Sequence, residues 1–324
     1  MKRISKLQIP FLLAGLLLVV LTYGCQDKAS RPVVQTKSLT GIKATTVTCW
    51  GNVPSDPGSA VTERGACWST KSNPTTSSSK ATTTAGTGNF SVSVSGLTMG
   101  TKYYIRCYAT NKSGTNYGAE LTFTTLFEDY NGNTCETVTI GSQIWMTENL
   151  KVKNYRAGNA ISNVTDLTSW SNLTSEAYCI YDNNSANKTT YGSLYNWYAM
   201  NDSRNVAPTG WHVATKADWT TLINNLGGAS VAGDILKEAG NTHWTGSYTG
   251  ATNTSGFTAL PGGYIASGNN AYGFYGLGTA GQWWAADEVD SKNGYSISLS
   301  NSSAQVVTAN SAKQSGFSVR CVKD

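Results

Sequence analysis

Alternation with a period of two, in short runs closed by turn residues, constrains this chain more than any other feature. Thr46-Val47-Thr48-Cys49-Trp50, Phe90-Ser91-Val92-Ser93-Val94 and Tyr103-Tyr104-Ile105-Arg106-Cys107-Tyr108 each put every second side chain on one face. A strand is the backbone conformation that does this. Between the runs lie Ser55-Asp56-Pro57-Gly58, Ser72-Asn73-Pro74, Gly86-Thr87-Gly88-Asn89 and Lys112-Ser113-Gly114. They supply the fixed φ of proline and the positive φ of glycine that tight turns need. No run from Val33 to Thr125 has helical spacing. Short strands so spaced predict a β-sandwich over residues 33–126.

The N-terminal stretch obeys other rules. Lys2, Arg3 and Lys6 precede an apolar run from Ile9 to Leu21, interrupted by Pro10 and Gly15. It falls short of the roughly 20 residues of a spanning helix and has the length of a secretory h-region. Residues 1–24 therefore read as a signal peptide. Cys25 directly follows Gly24, and this resembles a bacterial lipoprotein cleavage site, although Thr22 stands where the pattern usually has Leu. The resemblance implies a diacylglycerol on the Cys25 thiol, with residues 25–32 as a lipidated tether. Ordinary cleavage, with Cys25 a plain residue, is the alternative. Several acyl chains give stable anchoring. The expected location is the cell envelope, with the chain lipid-anchored to the outer membrane and exposed at the surface. The membrane is thus an expected partner through the N-terminal lipid.

Charge excludes one class of partner. Three of the 24 basic residues sit in the first six, leaving 21 against 19 acidic, a balance of +2. No basic stripe remains, so no nucleic-acid partner is expected. Charged residues make up only 13% of the chain, about half the usual share. Ser, Thr, Asn, Gly and Tyr carry the polarity instead, as in extracellular β-rich proteins.

Two family resemblances follow from the motifs. Gly96-Leu97-Thr98-Met99-Gly100-Thr101-Lys102-Tyr103-Tyr104-Ile105-Arg106-Cys107-Tyr108-Ala109-Thr110-Asn111, together with Arg64 to Thr70, resembles fibronectin type III modules of bacterial surface proteins. Met99 replaces a proline of that signature and Cys107 an alanine. From residue 127 onward the motifs are Thr137 to Met146 with a turn at Gly141-Ser142, Glu148-Asn149-Leu150, Tyr191 to Ala199, Pro208 to Val213, Leu260 to Tyr264, Trp283-Trp284 and Gly316 to Val322. This ordered set resembles the Fibrobacter succinogenes major paralogous domain, over residues 127–324. Thr215 with Asp218 three residues on, then Trp219, Leu222, Ile223 and Leu226, predicts a capped helix closed by Gly227. A second helix is expected over about Val231 to Ala239. A helix pair in long loops looks like the C-type-lectin-like fold, and His212 to Trp219 looks like the helix start of formylglycine-generating enzymes. The expected architecture is a fibronectin type III/immunoglobulin-like β-sandwich followed by an α+β C-type-lectin-like domain.

Those enzymes use a redox cysteine pair near the C-terminus, and the last hundred residues here hold Cys321 alone. No G-x-S-x-G elbow is present. The carboxylates Glu148, Asp218, Asp234, Glu238, Asp287 and Glu288 each have a plainer use as a cap or a solvated charge. Asp129-Tyr130-Asn131-Gly132-Asn133 has alternating oxygens but lacks the Gly and Glu spacing of an EF-hand, so an Asx-bonded turn is expected. With no Cys/His cluster, no metal and no cofactor are expected, no catalytic residue is assigned, and the chain is expected not to be an enzyme. The fibronectin resemblance puts Cys49 and Cys107 at the immunoglobulin bridge position, with Cys67 a rival. The lectin-like resemblance pairs Cys135 with Cys321, with Cys179 a rival.

Aromatic residues carry the functional expectation. Gly262 to Trp284 contains Tyr264, Tyr272, Phe274, Tyr275, Trp283 and Trp284, and Tyr and Trp anchor sugars and proteins alike. Without clear period between Ala266 and Gly281, the stretch is expected to be a long ligand-binding loop for a glycan or surface protein. Core packing of the same rings is the alternative. Two other functions remain open: a carbohydrate-active or protein-modifying enzyme on this fold, and a structural subunit of a surface assembly. The last would need an exposed sheet edge that pairs between copies.

Overall fold

A computed structural model describes residues 30–247, 250–268 and 271–324, so Cys25 and the signal segment lie outside the described residues. The alternating runs form eight strands: β1 (Val33–Thr40), β2 (Val47–Ser55), β3 (Glu63–Ser69), β4 (Ser79–Thr83), β5 (Gly88–Val94), β6 (Lys102–Asn111), β7 (Gly114–Tyr117) and β8 (Leu121–Thr124). One sheet runs β1-β2-β5 and the other β4-β3-β6-β7, with β8 also on β6. Every second residue of β5 is buried. Val47, Cys49, Phe90 and Val92 from the first sheet meet Ala66, Ile105, Cys107 and Ala109 from the second. The segment is a fibronectin type III-like β-sandwich.

In the rest of the chain strands again outnumber helices. Its first elements are β9 (Phe127–Glu128), β10 (Thr134–Cys135), β11 (Thr137–Ile140) and β12 (Gln143–Met146). Then come α1 (Leu167–Ser171), β13 (Tyr178–Cys179), α2 (Ser185–Tyr191), β14 (Leu194–Tyr195), α3 (Trp197–Met200), β15 (Trp211–Val213), α4 (Lys216–Asn225) and α5 (Ala232–Leu236). The last are β16 (Gly262–Gly268), β17 (Ala271–Leu277), β18 (Ala280–Glu288), β19 (Asn293–Ser300), β20 (Val307–Ala312) and β21 (Cys321–Lys323). One sheet has the order β11-β12-β21-β15 and the other β17-β16-β18-β19-β20.

Local chemistry explains the elements. Ile140 pairs with Gln143 around Gly141, whose φ is +60°, so the β11–β12 turn falls at Gly141-Ser142. Thr215 and Asp218 cap α4 reciprocally, which satisfies amides that the first helical turn leaves unpaired. Trp219, Leu222 and Ile223 line its buried face. α5 ends at Leu236, short of the expected Ala239, because Lys237 turns to an extended conformation and bridges Ala259.

The expected long loop from Ala266 to Gly281 is corrected by the structure: β16 and β17 form an antiparallel hairpin from Gly262↔Leu277 to Gly268↔Ala271, and β18 follows. Gly262, Gly263, Gly268, Gly273 and Gly276 interrupt the side-chain alternation without interrupting the strands. At Gly263, φ is +66° and a Cβ would sit 2.5 Å from the Tyr181 ring, so the position has room for hydrogen only.

The two units meet at the Met99–Thr101 turn. Lys323 Nζ donates to Met99 O (2.9 Å), Gly100 O (3.1 Å) and Thr101 Oγ1 (2.6 Å). The Trp211 ring lies where a Cβ on Gly100 would be and packs edge-on against Phe127, 5.1 Å between centroids.

Candidate functional site

The motifs that mark the C-terminal domain converge in its interior. Asn149 Oδ1 accepts from Arg320 Nε (2.8 Å) and Trp283 Nε1 (2.8 Å). Its Nδ2 donates to Tyr191 O (2.8 Å) and Ser318 Oγ (3.2 Å). The other Arg320 nitrogens donate to Met146 O, Phe257 O and Thr258 O, and the guanidinium lies over the Phe257 ring. Arg320 is fully buried with no carboxylate among these partners, and burial pushes its pKa down to about 9. The hydrogen bonds offset that desolvation.

Trp283 and Trp284 are corrected from ligand contacts to core residues: each is 0% exposed. As neighbours on one strand they point to opposite faces. Both faces of β18 are covered, and each ring fills a separate core. Trp283 packs with Trp145, Trp219 and Phe257. Trp284 packs 4.4 Å from Phe317 and donates Nε1 to Tyr195 O.

The remaining aromatic residues lie on the β16–β17 hairpin. Ile265 faces Phe274 and Ser267 faces Tyr272 in the register, so one hairpin face turns toward Trp170, Cys179 and Tyr181. Phe274 packs against Tyr181 with the rings tilted and their centroids 5.1 Å apart. Tyr272 walls a hollow of about 190 Å³ against Leu167, Thr168 and Ser171. Tyr264 and Tyr275 face each other on the other side, 5.9 Å apart. Tyr264 is anchored on Phe317, whereas Tyr275 lies across Gly273 and remains 37% exposed. Tyr275 is therefore the exposed ring of the hairpin, and Tyr264, Tyr272 and Phe274 are each half-buried.

Sequence reasoning had no signal for the ionic contacts. His212 Nδ1 meets Asp324 Oδ1 at 2.7 Å and its Nε2 meets Asp218 Oδ2 at 3.1 Å, so carboxylates occupy both ring nitrogens. Burial lowers its pKa, but the bonds to Asp324 and Asp218 prevail and hold it above the ordinary 6.5. Burial alone would raise Asp218, but bonds from Thr215 and His212 leave it below 3.8. The clip thus stabilises the fold fully below pH 6.5 on the His212 side and loses that contribution as pH rises through the higher folded pKa. On the Asp218 side it weakens as pH falls below 3.8. With His212 about one-third exposed, solvent screening holds the effect below about 1 kcal/mol. His212→Gln is expected to flatten the decline of the melting temperature above pH 6.5. An unchanged profile in the variant would refute this role.

The carboxylates are engaged one by one: Glu148 with Lys151, Asp234 with Lys237, Glu238 with His243, Glu288 with Lys313, and Asp287 with the Lys216 amide. Asp129 accepts from the amides of Asn131 (2.9 Å) and Asn133 (3.0 Å), the Asx-bonded turn expected there. Among the described residues no three His, Cys, Asp or Glu side chains are grouped to hold a metal ion.

Cys49 and Cys107 face each other across the sandwich, with Sγ atoms 3.6 Å apart. Cys67 is no rival. Ala66, which pairs with Cys107, points between the sheets, so its neighbour Cys67 points to the opposite face, where it is buried against Pro74 O. Cys135 and Cys321 share one core, and Cys179 lies in another, beside Trp170 and Ile265. All six described cysteines are free thiols.

Comparisons with known proteins come from both halves of the chain. The sixth fibronectin type III domain of human fibronectin type III domain containing protein 3 is 25% identical over 30% of this chain and 88% of its own, with a TM-score of 0.24. Another human fibronectin type III domain of that protein is 22% identical over 30% and 88%, at 0.22. The sensor domain of the anti-sigma factor RsgI4 from Pseudobacteroides cellulosolvens is 18% identical over 30% and 95%, at 0.23. No curated protein matches. The model of the Fibrobacter succinogenes major domain matches residues 138–323, more than half of the chain, and the protein belongs to that family.

Proposed function

We propose that this chain is a non-catalytic lipoprotein of the bacterial cell envelope, held to the outer membrane through Cys25 and exposed at the cell surface. The fibronectin-like sandwich is the spacer. The C-terminal domain, C-type-lectin-like in fold, presents an aromatic surface to a glycan or a protein outside the cell. The lectin-like reading is supported by the pairing of the domain's two ends, β12 with β21, around a long excursion. One observation carries the functional reading: family-signature residues such as Asn149, Trp283 and Arg320 are buried, while Tyr275 remains exposed beside Tyr264 on a regular hairpin. A ring held flat on a strand loses little entropy on binding, which suits it to recognition.

The test is a screen of the full chain against glycan and cell-surface protein arrays, repeated with Tyr275→Ala. Loss of an aromatic anchor is expected to weaken the captured ligand about tenfold or more, with the melting temperature nearly unchanged. Phe274→Ala, by contrast, is expected to lower stability. Undiminished binding by Tyr275→Ala, or no ligand on either array, would overturn the proposal.

A further inference from the structure

The sheet β17-β16-β18-β19-β20 ends on one side in a bare strand. Five of the six β20 residues, Val307-Thr308-Ala309-Asn310-Ser311-Ala312, are exposed, so both faces project beyond the core as a ledge. Edge strands are commonly guarded by charge, proline, a bulge or a covering element. Three other outer strands of this chain have such guards. β1 carries Lys37 and two register shifts, β4 carries Lys80, and α1 packs on β17. β20 has no charge and no proline, and its register with β19 runs unbroken from Asn293↔Ala312 to Ser298↔Val307.

The hydrogen-bond phase of this edge follows from its ends. Lys313 N donates inward to Lys292 O, whereas Val306 N donates outward to Ala229 O. Because successive residues of an antiparallel strand alternate between the two sides, Thr308, Asn310 and Ala312 aim their amides outward. Among the described residues no strand receives them.

We infer that β20 pairs antiparallel with β20 of a second copy of this chain, about a two-fold axis at Asn310. That axis sets Asn310 against Asn310, Ala309 against Ser311 and Thr308 against Ala312. The backbones of the two Asn310 residues exchange N–H···O bonds, and each Ala312 N–H reaches the opposite Thr308 carbonyl. The Asn310 carboxamides, each donor and acceptor, are self-complementary across the axis. Charge is compatible with this symmetry. Near one end of β20, Lys313 is paired with Glu288, and Asp290 caps the Lys292 and Asn293 amides. That end meets the uncharged turn Asn301 to Gln305 of the second copy. The sheets join into one that crosses the dimer, with an isologous interface.

The test is mild oxidation of the full chain carrying Asn310→Cys, against the parent chain, with Thr308→Lys added as the disrupting change. Lysine at this outward position sets a charge on each copy beside the axis and leaves the bonds to β19 in place. Asn310→Cys is expected to give a covalent dimer absent from the parent, and the double variant at least tenfold less of it at an unchanged melting temperature. No added dimer with Asn310→Cys, or an equal yield in the double variant, would overturn the pairing.

Discussion

Asn149→Ala is expected to destabilise the C-terminal domain by about 2–5 kcal/mol, because it orphans buried hydrogen-bonding groups on Arg320 and Trp283. The truncation strips an acceptor from Arg320 Nε and Trp283 Nε1 and a donor from Tyr191 O. Arg320 Nε and Trp283 Nε1 are buried, and each orphaned buried polar group costs about 1–3 kcal/mol. Asn149→Asp keeps an oxygen for Arg320 and removes the donor to Tyr191 O, so it is expected to fall between wild type and alanine. Tryptophan fluorescence during urea unfolding is the measurement, because eight of the ten tryptophans lie beyond residue 127. A loss below about 1 kcal/mol would show that the convergence on Asn149 is not what holds the domain.

Oxidation of the Cys49–Cys107 pair is expected to stabilise the sandwich by about 4 kcal/mol, the loop-closure value for cysteines 58 positions apart. The thiols are buried between sheets, and their 3.6 Å separation must close to about 2 Å. With Cys107 as donor, the sulfur–sulfur hydrogen bond holds Cys49 below the usual thiol pKa, while that contact and burial push Cys107 above it. Chain recovered from an oxidising compartment should resist alkylation at both residues and lose its added stability on reduction. Cys107→Ser should remove the response to reductant. Free thiols at both positions in oxidised chain would refute the bridge.

The legible parts of this fold are those whose cause is local. The β11–β12 turn, the alternation in β5 and the Thr215–Asp218 capping box each need only a few neighbouring residues. The β16–β17 hairpin was hidden because its glycines erase the side-chain period, and close contacts made far along the chain require them, as between Gly263 and Tyr181. Trp283-Trp284 was legible only in part. Opposed faces follow from adjacency, but a covered second face depends on where Phe317 and Tyr195 arrive from elsewhere. The Asn149–Arg320 bond spans 171 positions, and nothing in either local sequence announces it.

The position of Lys323 bears on how freely the C-terminal domain can vary. The last strand returns beside the first hairpin of its domain, and its lysine grips the sandwich turn at Met99 to Thr101. The domain therefore hangs like a loop of rope with both ends held close to the sandwich. Its loops can change without disturbing the strands of the sandwich.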